Sequence, residues 1–101
     1  MKKLVVCLML TAATALAADW TGYISESKCG AKHNDGSEAS VQCVTGCIKG
    51  GAKPVLVVDG KVINIANADK VPATLYGKKV KVKGKTDKDG AVAIGSIEAA
   101  S

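Results

Sequence analysis

The sequence predicts a mainly β domain: a small five-stranded barrel with a short helix inserted between its first and second strands. Three observations carry this reading. Apolar residues alternate with polar ones in short runs, turn residues punctuate those runs, and one stretch, 37–49, switches to apolar spacings of three and four. An open β-sandwich built from the same strands is the alternative architecture.

The first 17 residues, MKKLVVCLMLTAATALA, are expected to be a signal peptide rather than part of the fold. Lys2 and Lys3 form a basic start, Leu4 to Leu10 are apolar, and Ala15-Leu16-Ala17 fits the small-x-small rule for cleavage before Ala18. The apolar stretch is shorter than the roughly 20 residues of a membrane span, so no anchor helix is expected. Cys7 lies within that stretch, without the surroundings of a lipid-modified cysteine. The compact, basic leader has a bacterial look, and the expected destination is the periplasm or the cell exterior. The remainder, 18–101, is one domain, small enough that a hydrophobic core benefits from a staple or a metal.

Each element then follows. Trp20, Gly22 and Ile24 alternate with Thr21, Tyr23 and Ser25, which predicts a first strand over about 19–28. Ser37 followed by Glu38 offers a capped helix start, and Val41, Val44 and Ile48 give its apolar face. Gly50, Gly51 and Pro54 end the helix, and Gly46 weakens it. Val55–Val58 and Val62–Ile65 flank Asp59-Gly60, a hairpin with a tight turn. NADKVPATLYG reads as a short helical or turn connection. In the fourth strand Val80 and Val82 point inward while Lys79, Lys81, Lys83 and Lys85 point out; DKDG turns the chain into a last strand, Ala91 to Ile97.

The remaining question is why Cys29, His33, Cys43 and Cys47 crowd into one segment. Three thiols and an imidazole are the Cys3His donor set of tetrahedral zinc, and soft thiolates also suit reduced copper. Cys43 and Cys47 share a helix face at i, i+4, and the loop bearing Cys29 and His33 can fold over it. The competing reading is structural: a disulfide from Cys29 to Cys43 or Cys47, worth roughly 3 kcal/mol by loop closure. Such a bridge leaves one thiol over, which would permit a disulfide-linked dimer. Catalysis is not expected, since no Asn or Asp partner can be assigned to a Cys–His pair, HNDG at 33–36 reads as a turn, and the separation of Cys43 from Cys47 is one residue wider than C-x-x-C.

Other functions fit less well. The formal charge of +5 includes two leader lysines, and only Trp20, Tyr23 and Tyr76 could stack on bases, so no nucleic-acid partner is expected. The lysine row reads as a solvated face. No phosphate-binding glycine loop is present, and Asp59, Asp87 and Asp89 read as turn formers rather than calcium ligands. The expected partner is a protein or small ligand that the residues do not specify.

Two resemblances bear on this. The strand pattern, with GKKVKVKG at 77–84 as its fourth strand, resembles the OB-fold, a five-stranded Greek-key barrel. The run W-x-G-x-I-S-x-S-x-C-G-x-x-H at 20–33, C-x-x-x-C at 43–47, I-K-G-G at 48–51 and V-x-V-x-G at 80–84 resemble small exported bacterial proteins of uncharacterised function with such a barrel. That resemblance implies fold and export, and brings no activity.

Overall fold

The computed structural model describes residues 18–100, so the expected leader lies outside the described residues. The chain forms β1 (Ala18–Glu26), α1 (Glu38–Lys49), β2 (Pro54–Val58), β3 (Lys61–Asn64), β4 (Lys79–Thr86) and β5 (Val92–Ala99). All strand pairs are antiparallel, in the order β3-β2-β1-β4-β5. Mainly β, five strands and a helix between β1 and β2 are therefore the architecture of this protein.

Local chemistry accounts for the boundaries. Ser37 caps α1, its hydroxyl accepting the Ser40 amide at 3.2 Å. At the other end the Gly51 amide reaches back to the Ile48 carbonyl, with Gly51 at φ +112°. Asp59 and Gly60 both take positive φ, 50° and 80°, as a tight hairpin turn requires. Asp87 Oδ1 accepts the amides of Asp89 (2.9 Å) and Ala91 (3.0 Å), so this acid is occupied in making its turn. Between β3 and β4 there are only two short 3-10 turns, Ala68–Lys70 and Ala73–Leu75, separated by Pro72.

β1 organises the domain by changing partners along its length. Ala18 to Tyr23 pair with β4, and Tyr23 to Glu26 pair with β2. Its inward row meets the core of Ile24, Leu56, Val71, Leu75, Val80, Val82, Val92 and Ile94, with Trp20 and Tyr76 packed at the margin. On the opposite face Val55 and Val57 are buried as well, beside β1 and the 3-10 turn Gly30–Lys32.

The expected barrel is not closed by a strand ladder. β3 stops at Asn64, and the two sheet edges meet at one parallel bridge, Ile65 to Val92, with the Ala66 amide donating to the Val92 carbonyl at 2.8 Å. Beyond it the Asn67 side chain takes over. Its Nδ2 donates to the Ile94 carbonyl at 2.9 Å and its Oδ1 accepts the Ile94 amide at 2.7 Å. One side-chain amide thus makes the pair of bonds a strand residue would make, because the backbone has already turned away.

Candidate metal centre

The site begins where β1 ends. Glu26 continues the inward row Trp20, Gly22, Ile24 and is fully buried, with 0 % of its surface exposed. Its Oε1 accepts the amides of Lys28 (2.6 Å) and Cys29 (2.8 Å), which folds the chain back immediately after the strand. The Ser25 hydroxyl donates to the Gly30 carbonyl at 2.6 Å and fixes the next turn. Cys29 and His33 then bracket the 3-10 turn Gly30–Lys32, and α1 brings up Cys43.

One ligand atom each from Glu26, Cys29, His33 and Cys43 lies within 4.8 Å of all the others. Among the described residues, two buried side-chain atoms here have no hydrogen-bond partner, Glu26 Oε2 and His33 Nε2. They face one another at 3.8 Å, too far for a hydrogen bond. Two ligands of one tetrahedral zinc, bound at about 2.0–2.2 Å, sit roughly 3.4 Å apart, so a small contraction would seat a shared ion.

The charges favour a cation. Burial pushes the Glu26 carboxyl up, but the amides of Cys29 and Lys28, aided by the nearby Cys29 and Cys47 thiols, outweigh it and hold the group below its ordinary value. Glu26 is therefore an anion whose free oxygen faces the His33 imidazole. Orphaned buried polar atoms are costly to a fold, so their presence in facing positions calls for a ligand.

A second row of contacts sets the imidazole. Asp35 Oδ1 accepts the Ser37 amide at 3.0 Å and the Ser40 hydroxyl at 3.1 Å. The Ser37 amide and hydroxyl and the Ser40 hydroxyl hold the Asp35 carboxyl below its usual value, which makes it an ionised acceptor. With its proton committed to Asp35, Ser40 Oγ can only accept from His33 Nδ1, 3.2 Å away. That fixes the Nδ1–H tautomer and turns the Nε2 lone pair toward Glu26 and the two thiols. Ser40→Ala should accordingly weaken zinc binding by roughly 10–100-fold, the usual range for such supporting contacts, with little change in metal-free circular dichroism. Unchanged affinity in a competition titration would remove Ser40 from the site.

Of the expected donors, Cys29, His33 and Cys43 come together, and Cys47 falls outside the four-atom group. Cys47 sits one helical turn beyond Cys43, half-buried. Its thiol is pushed up by burial, then by the charge of Glu26 and by Cys43. Cys29, Cys43 and Cys47 are free, so the expected disulfide staple is absent among the described residues. The donor that sequence reasoning missed is Glu26. Its signal was an acid placed on the inward row of a strand, three residues before Cys29.

No protein-family model, no curated protein and no solved structure matches this chain.

Proposed function

We propose that this protein is an exported, non-enzymatic metal-binding module whose ion is held by Glu26 Oε2, Cys29 Sγ, His33 Nε2 and Cys43 Sγ. The observation that carries the reading is the facing pair of buried, unpartnered atoms, Glu26 Oε2 and His33 Nε2, beside two free thiols. Two thiolates, an imidazole and a carboxylate suit zinc(II), which takes sulfur, nitrogen and oxygen donors in a tetrahedron. Four protein donors leave no position for a reacting water, which favours binding over catalysis. Export rests on the basic and apolar leader with its Ala15-Leu16-Ala17 cleavage pattern.

The test is intact mass of the purified protein, native and then denatured with an alkylating agent in the absence of reductant. The expected result is a native mass raised by one zinc, three alkylated cysteines, and an N-terminus at Ala18. Substitution with cobalt(II) should give the visible bands of a tetrahedral thiolate complex, lost in Cys29→Ser. A metal-free native mass after incubation with zinc, with no cobalt spectrum, would overturn the reading. A chain beginning at Met1 would overturn the export step alone.

A further inference from the structure

Four donors share one space, and a fifth candidate stands one helical turn outside it. The fifth is Cys47, and its position on α1 is specific. Ser40, Cys43 and Cys47 lie on one row of the helix, at spacings of three and four. Ser40 holds the imidazole and Cys43 belongs to the four-atom group. Helical side chains lean toward the N-terminus, so the Cys47 thiol overlies the turn that carries Cys43. The half-buried Cys47 feels the charge of Glu26 and the neighbouring Cys43 thiol, which places it at the edge of the same space.

The two alternative fourth donors differ in chemistry and in freedom. Glu26 is a hard oxygen donor whose Oε1 is pinned by two amides, so the carboxylate cannot turn away or adapt. Cys47 is a soft sulfur donor on a single rotatable χ1 bond, its half-buried thiol lying near Cys43 and the Glu26 carboxylate rather than pinned by backbone amides. Soft thiolates select copper(I), while a mixed set that includes carboxylate suits zinc. Exchange at this corner therefore depends on Cys47 moving in, not on Glu26 moving out.

We propose, building on the reading of this cluster as a metal site, that its donor set changes with the softness of the ion. Zinc(II) is held by Glu26, Cys29, His33 and Cys43. Copper(I) is held by Cys29, Cys43 and Cys47, with Glu26 left uncoordinated. No electron is transferred in either case; each binding event releases only the protons of the thiols that become ligands.

The experiment measures zinc(II) and copper(I) affinities by competition with chromogenic chelators, anaerobically, on the purified full chain. Three proteins are compared: wild type, Cys47→Ser and Glu26→Gln, with circular dichroism confirming that each folds. Cys47→Ser should lose roughly ten-fold or more in copper(I) affinity, the scale on which even a supporting contact acts, while zinc affinity stays nearly constant. Glu26→Gln should do the reverse. Equal losses for both metals in either variant, or no loss of copper(I) affinity in Cys47→Ser, would mean one fixed donor set and would overturn the proposal. Wild type that binds zinc but not copper(I) would overturn it while leaving the metal site intact. Wild type that binds neither would overturn both.

Discussion

Zinc(II) at about 100 times the wild-type dissociation constant is expected to raise the melting temperature of the wild-type protein by roughly 10–20 °C, and Glu26→Gln is expected to cut that rise by about half or more. The first figure follows from linkage. A ligand at that excess adds about 2.7 kcal/mol, and a domain of this size shifts by about 4–8 °C per kcal/mol. The second part rests on the role of each carboxylate oxygen. In Glu26→Gln the retained Oε1 can still accept the amides of Lys28 and Cys29, so the turn that follows β1 survives. The new amide nitrogen faces His33 Nε2, where a carboxylate oxygen had no partner. A donor opposite a lone pair is an improvement, so the metal-free variant should melt no lower than wild type and gain up to about 1 kcal/mol. Stability rising where binding falls is the signature of a group kept for a ligand rather than for the fold. A metal-free melting temperature several degrees below wild type, with the zinc shift intact, would assign Glu26 to the fold alone. Differential scanning calorimetry with and without chelator makes the comparison.

Gly77→Ala is expected to cost roughly 2–5 kcal/mol and to lower the melting temperature by about 10 °C or more in the absence of metal. Gly77 holds φ at +78°, a conformation that a side chain disfavours. Its amide donates to the Ile24 carbonyl at 2.8 Å, so the backbone cannot rotate freely to escape. A Cβ there would stand 2.5 Å from Val41 Cα and 2.8 Å from Val41 N, inside the first turns of α1. These are backbone atoms, so the helix itself must shift. Since α1 carries Ser40 and Cys43, the same displacement should separate them from Glu26, Cys29 and His33. Zinc affinity should fall along with stability. The control is Gly46→Ala, also in this region, where nothing lies within 4 Å of the added Cβ. It should stabilise the helix by about 0.5–1 kcal/mol and leave zinc binding unchanged.

How much of this was legible in the sequence depended on whether the governing interaction was local. The Asp59-Gly60 hairpin, the Ser37 cap and the DKDG turn are written in adjacent residues, and each forms where the residues predict. The pairing of thiols with His33 followed from residue type and spacing. Glu26 did not, because "ISES" reads as a polar strand end until α1 and the 29–33 turn cover it. The choice of Cys43 over Cys47 in the four-atom group turns on how α1 sits against β1, which no local pattern encodes. Barrel closure failed for a similar reason. The period-2 pattern of Val62 to Ile65 gives a strand but says nothing of where its edge will find a partner.

That unclosed edge has a consequence in solution. A strand that ends its sheet offers free amides and carbonyls, and a neighbouring chain can add to them in register, one residue after another. Beside Ile94 this template is already filled, and by a side chain. The Asn67 amide satisfies one residue and then stops; it has no next peptide unit to extend the ladder. The seam is thereby sealed against templated growth at that position while the two strands remain separate. A backbone ladder would have invited continuation, and the single amide terminates it.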